Sequence, residues 1–166
     1  MSQRLNYAKA SPEGFKAIRQ LQEHVDNCGI EHPLLELVKM RASQLNGCAY
    51  CLDMHSQDAR AAGETEQRLY LLDAWRESPF YSDRERAALA WTEALTRISK
   101  TKDVPDALYD EVRKQFSEKE LVDLTLAIIA INGWNRLAIP FRSEPGHYQS
   151  VGRSKDTRNA HNRTKV

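Results

Sequence analysis

The chain has 166 residues, 41% of them hydrophobic and 28% charged, as in a globular protein able to bury a core without staples. Its 24 basic and 23 acidic side chains leave a net charge of +1, too little to draw in nucleic acid or an anionic membrane. No apolar run approaches the ~20 residues of a membrane span, and Met1 to Asn6 lack the plan of a secretory signal, so a cytoplasmic protein is expected.

Ser11-Pro12-Glu13 predicts a helix start: a capping hydroxyl, a proline in the first turn and an acid at the positive dipole end. Phe15, Ile18, Leu21, Gln22 and Val25 carry the helical stripe to Asn27-Cys28-Gly29, with Gly29 as C-cap. Cys28 reads as a small half-buried hydrophobe. His32-Pro33 opens a second helix, in which Leu34, Leu37, Val38, Arg41, Ala42 and Leu45 recur at helical spacing up to Asn46-Gly47. A third runs from about Cys48 to Ala62 and is closed by Gly63. A fourth begins at Thr65-Glu66, carries Leu69, Leu72 and Trp75, and breaks at Ser78-Pro79.

Ser82-Asp83-Arg84-Glu85 is a capping box before a fifth helix containing Trp91, Leu95 and Ile98. Val104-Pro105-Asp106 starts a shorter sixth. Ser117-Glu118-Lys119-Glu120 is a second capping box, leading a seventh helix that is apolar nearly all round from Leu121 to Ile131. It passes Trp134-Asn135-Arg136 and is expected to stop before Pro140. Such a helix is buried on several sides, in the middle of the fold or in a subunit interface. With no alternating strand pattern and no repeat, the reading is all-α, about seven helices, one domain over residues 1–150. A polar tail occupies residues 151–166; from Gly152 on it has five basic residues against one acid, a net +4 that leaves −3 for the rest.

The chemistry concentrates at Gly47-Cys48-Ala49-Tyr50-Cys51-Leu52-Asp53-Met54-His55. Three cysteines are an odd number for a disulfide scaffold, and in a cytosolic chain Cys-x-x-Cys reads as catalytic redox or metal binding. At 100° per residue, Cys51 lies about −60° and His55 about −20° from Cys48, on one apolar face with Leu52, Ala59 and Ala62. The first helical turn favours a thiolate, the nucleophilic form of cysteine. His55 stands one turn after Cys51 and can take its proton. Glu36, on the preceding helix, can orient that imidazole. The second thiol would resolve a sulfenic acid as a disulfide. A zinc site of Cys48, Cys51, His55 and Glu36 is conceivable by ligand type. Three of those ligands share one helix face, however, and there is no second Cys-x-x-Cys. Haem attachment would need His where Leu52 stands. These residues alone do not decide which thiol attacks: Cys48 is nearer the dipole and the expected entrance, Cys51 nearer the histidine.

The signature Glu36, Cys48-x-x-Cys51, His55, set in Leu37 to Cys48, resembles the AhpD-like family of the carboxymuconolactone decarboxylase superfamily, in its single-domain branch. Glu85 to Trp91 and Ile131 to Leu137 are also similar to members of that branch. The resemblance runs from Gly14 to Phe141 and omits the tail. It implies an AhpD-like helical bundle assembled as a homotrimer or homohexamer. The implied activity is dithiol-dependent reduction of alkyl or hydrogen peroxides, or of a disulfide on a partner peroxiredoxin or lipoylated protein. It further implies no bound cofactor, an external dithiol such as a dihydrolipoyl group as reductant, Cys51 as attacking thiol, Cys48 as resolving thiol, and His55 and Glu36 as relay. Tyr50 departs from the pattern, standing where the best-known relay has a second histidine. A phenol, with a reference pKa of ~10, is a poor base at neutral pH, so Tyr50 is expected to pack the pocket mouth or donate a hydrogen bond. Two further readings are a decarboxylase-type acid–base enzyme, which needs no thiol pair, and a non-catalytic redox-sensing oligomer.

Overall fold

A computed structural model describes residues 2–150; the basic tail lies outside the described residues. Among them are nine α-helices: α1 (Tyr7–Ala10), α2 (Pro12–Asp26), α3 (His32–Asn46), α4 (Ala49–Ala61), α5 (Glu66–Leu71), α6 (Asp83–Thr96), α7 (Ile98–Thr101), α8 (Asp106–Gln115) and α9 (Glu118–Phe141). A 3-10 turn, Leu72–Ala74, follows α5, and no strand is present among these residues. The all-α expectation holds. The two helices beyond the expected seven, α1 and α7, have four residues each, too few to show a period.

Both capping boxes form: Ser82 with Glu85 at α6, Ser117 with Glu120 at α9. Gly29 follows the end of α2 in the left-handed region (φ +97°), while the C-cap position itself is Asn27. α9 does not stop before Pro140 but runs one residue past it. At the last turn the missing Pro140 N–H removes a single intrahelical bond, and no helix continues beyond Phe141 to be disrupted.

The axis of the molecule is α3, not the apolar α9. Ten consecutive residues of α3, Leu34 to Ser43, are buried. The reason is that α3 serves three apolar clusters. Leu34, Leu35 and Val38 pack with Val25, Val112, Leu124 and Ile128 from α2, α8 and α9. Leu37 and Met40 pack with Ala59, Leu69, Leu72 and Leu89. Ala42 packs with Cys48, Cys51, Ile131 and Ala138. α9 buries Leu124, Ala127, Ile128 and Ile131 but exposes Val122, Ile129 and Ile139 by about half. Contrary to the expectation from apolar runs, α9 is long and apolar enough to cross a membrane by length and composition alone. Here it is a core helix carrying buried Asp123 and Asn135.

Candidate functional site

The site sits where α3 turns into α4. Gly47 ends α3 in the left-handed conformation (φ +72°), its N–H returning to Gln44 and Ser43. A Cβ is disfavoured at that angle, so glycine makes the reversal cheap. Cys48 then becomes the N-cap of α4, its sulfur accepting from the Cys51 N–H at 3.4 Å. This places both sulfurs at the positive end of the α4 dipole.

Cys48 and Cys51 are joined as a disulfide, with Cα atoms 5.3 Å apart. Each is only 1% exposed. Cys48, expected toward the entrance, is thus no more exposed than Cys51. Ala42, Ile131 and Ala138 bury both sulfurs, and Tyr50 and Trp134 pack against them. On the same helix His55 and Ala59 are buried, whereas Ala62, expected on that face, is exposed. Cys28 is a free, half-buried thiol, as its sequence context suggests.

Glu36 and His55 come together. Glu36 Oε2 lies 2.8 Å from His55 Nδ1, and Lys39 Nζ donates to Glu36 Oε1 at 2.9 Å. His32 Nε2 stands 3.6 Å from the same oxygen, and Lys39 also pairs with Asp26 at 3.6 Å. Burial pushes the Glu36 carboxyl up. The hydrogen bond and charge of His55, joined by those of Lys39, outweigh burial and hold it at about 2. A carboxylate only accepts, so Nδ1 carries the hydrogen and Nε2 is left as the basic nitrogen.

A folded-state value below the unfolded 4.5 means that Glu36 stabilises the fold above pH 4.5 and loses that contribution as pH falls toward 2. Replacing Glu36 by Gln is expected to cost about 3 kcal/mol at pH 6, shrinking to roughly 1–2 kcal/mol at pH 3. Urea unfolding of both proteins across pH 3–6 measures this; a difference that stays constant with pH would contradict it.

Tyr50 is half-buried. Burial first, then the proximity of Tyr7 and Asp53, pushes its hydroxyl up, so it is a donor rather than a base. With Tyr7, Phe15, Glu144 and His147 it lines a cleft of about 350 Å³. Trp134 donates to Gln22 Oε1 at 3.0 Å and meets Phe15 edge-on at 5.8 Å. Asn135, fully buried, donates to Ser43 Oγ and accepts from Asn46.

Two residues not singled out by the sequence also stand here. Asp58, one turn beyond His55, places a carboxylate oxygen within 4.8 Å of ligand-type atoms of both Glu36 and His55. Tyr148 donates to that carboxylate. Spacing from His55 could have flagged Asp58; Tyr148 follows no periodic pattern. As a place for a metal ion the cluster is compromised, because Lys39 and His55 already occupy the two Glu36 oxygens.

Residues 12–94 match the carboxymuconolactone decarboxylase family. YdfG of Bacillus subtilis (strain 168), a protein of uncharacterised function, is 49% identical over 139 residues, 84% of this chain and 94% of YdfG. A crystal structure from Agrobacterium tumefaciens, of unknown function and provisionally ascribed to antioxidant defence as AhpD, superposes with a TM-score of 0.84. It is 48% identical, over 89% of this chain and all of that one. The debrominase Bmp8 (TM-score 0.74, 23% identity, 84% of this chain and 74% of Bmp8) shares the fold alone. With half its length matched by the family and a near full-length relative at 49% identity, the chain belongs to the carboxymuconolactone decarboxylase family, in its AhpD-like branch.

Proposed function

We propose that this protein is a dithiol oxidoreductase that reduces hydroperoxides through Cys51 and Cys48. The observation that carries the reading is the buried Glu36–His55 pair, 2.8 Å apart across α3 and α4, with His55 on the helix whose N-terminus holds the closed Cys-x-x-Cys. A histidine oriented by a carboxylate beside a thiol pair is what nucleophilic thiol chemistry needs. Lactone decarboxylation has no use for the pair.

In the reduced protein, His55 Nε2 takes the Cys51 proton. The thiolate attacks one peroxide oxygen, the O–O bond breaks, and Cys51 becomes a sulfenic acid. The leaving alkoxide takes the proton from His55 and departs as an alcohol. The Cys48 thiol then attacks the sulfenic sulfur, releasing water and forming the disulfide described above. An external dithiol, for which a dihydrolipoyl group is the proposed source, reduces it by exchange. A disulfide on a partner peroxiredoxin or lipoylated protein would enter by the same exchange. Because both sulfurs are covered, the cleft beside Tyr50 is the proposed approach. The homotrimer or homohexamer implied by the family would cover the exposed apolar residues of α9, Val122 and Ile129.

The test is thiol counting. Reduced wild type is expected to lose two thiols per hydroperoxide consumed and to turn over with dihydrolipoamide. Cys51→Ser is expected to consume none. A wild type inert to hydroperoxides with every dithiol tried would refute the peroxidase reading. Activity that survives loss of both thiols would make acid–base chemistry the lead.

A further inference from the structure

The chain after α9 returns to the helix that carries the thiols. The Gly146 N–H donates to Asp53 Oδ2 at 2.7 Å, and the Tyr148 hydroxyl donates to both Asp58 oxygens, at 2.8 and 3.0 Å. These two acids bracket His55 on α4, two residues before it and three after. The segment thus lies along α4 over the relay, and its second anchor is the carboxylate within 4.8 Å of Glu36 and His55.

The charges around His55 show why a second carboxylate matters. From α3, Glu36 bonds His55 but shares its charge with Lys39 and stands 3.6 Å from His32. Asp26, from α2, faces Lys39. From α4 come Asp58, and Asp53, which is occupied by Gly146 and Gln57. The returning segment brings Tyr148 and His147. Tyr50 stands near Tyr148. When His55 accepts the Cys51 proton, two cations, Lys39 and the imidazolium, compete for Glu36. Among the described residues, Asp58 is the other carboxylate placed within 4.8 Å of His55 and Glu36.

We propose that Asp58 and Tyr148 are positioning residues of the thiol site: the Tyr148 hydroxyl pins the Asp58 carboxylate beside the His55–Glu36 pair, where its charge supports the imidazolium and so the Cys51 thiolate. The transfer is of one proton, from the Cys51 sulfur to His55 Nε2, with no other reactant. Tyr148 suits the role. Burial, then its hydrogen bond to Asp58, with the charges of Asp58, Glu36 and Tyr50, pushes its hydroxyl up to about 12, so it stays a donor throughout the working range. This inference deepens the thiol-relay reading and rests on it, but not on the identity of the oxidant.

The experiment is the pH dependence of iodoacetamide alkylation of Cys51 in the reduced full-length protein, located by mass spectrometry. Asp58→Asn is expected to move the profile alkaline and slow alkylation at pH 7 by about tenfold, as for an opposite charge removed at this range. Tyr148→Phe frees Asp58 to turn toward water, and a smaller shift of the same sign, about two- to threefold, is expected. Unchanged profiles in both variants, with only thermal stability lowered, would reduce the contact to a tether and overturn the proposal. A wild type that consumes no hydroperoxide, with both shifts present, would defeat the peroxidase reading and leave the positioning role standing.

Discussion

His55→Ala is expected to slow the reaction of the reduced thiols with a hydroperoxide by about 100- to 10,000-fold near neutral pH, the range for loss of a positioned general base. The size follows from the geometry. His55 is 6% exposed, its Nδ1 is fixed by Glu36 at 2.8 Å, and water has little room to replace it. The deficit should shrink as pH rises, because the thiol then ionises unaided. Rates measured from pH 6 to 10 for wild type and variant should converge at the alkaline end. A ratio that stays flat across pH would assign His55 a packing role. Glu36→Gln should show the same trend with a smaller amplitude, since it weakens the orientation of the base without removing it.

How far the sequence reaches differs between elements for physical reasons. Glu36 and His55 could be paired from spacing, because Gly47 forces α3 and α4 into a tight reversal and the two residues lie on facing helix sides. The capping boxes made α6 and α9 legible through local hydrogen bonds that need no tertiary partner. What stayed hidden was the identity of the central helix. α3 carries Glu36, Lys39 and Arg41 in its buried stretch; Arg41 falls on the helical stripe, but side-chain polarity alone marks all three as surface residues. They are inside because each finds its partner on another turn or another helix. Conversely, α9 looks the more buried because its apolar residues run all round, yet an apolar residue does not reveal which side has a neighbour. The burial of Cys48 was missed for a similar reason. Ile131, Ala138 and Trp134, which help cover it, arrive from some 80 residues or more along the chain. Tyr148 reaches Asp58 from 90 residues away, through a segment with no period to read.

Glu93→Ala is expected to be the most damaging single change to stability, about 3–5 kcal/mol, the cost of breaking a buried ion pair by removing one partner. Glu93 Oε1 accepts from Arg41 Nε at 2.8 Å and Trp75 Nε1 at 2.9 Å; Oε2 accepts from Arg76 at 2.6 Å. Burial pushes Glu93 up, but the hydrogen bonds from Trp75 and Arg76 and the charge of Arg41 outweigh it and lower its pKa. Arg41 is 4% exposed. Without Glu93 it would keep Gln44 and the exposed Asp73, too little for a buried guanidinium. Trp75 would lose the acceptor for its indole N–H. Urea unfolding should show the loss, and the charge is what matters most, so Glu93→Gln should fall between wild type and Ala. The double replacement Arg41→Met with Glu93→Leu should cost less than Glu93→Ala alone, because it removes the stranded cation along with its partner. If the double variant is instead the less stable, the network is worth more than the desolvation it requires. Arg41 and Glu36 are five residues apart on α3, about 140° around the helix. The same helix therefore holds the thiol relay on one side and is clamped to α6 on another, so loosening the clamp should lower stability well before it alters the pH profile of the thiols.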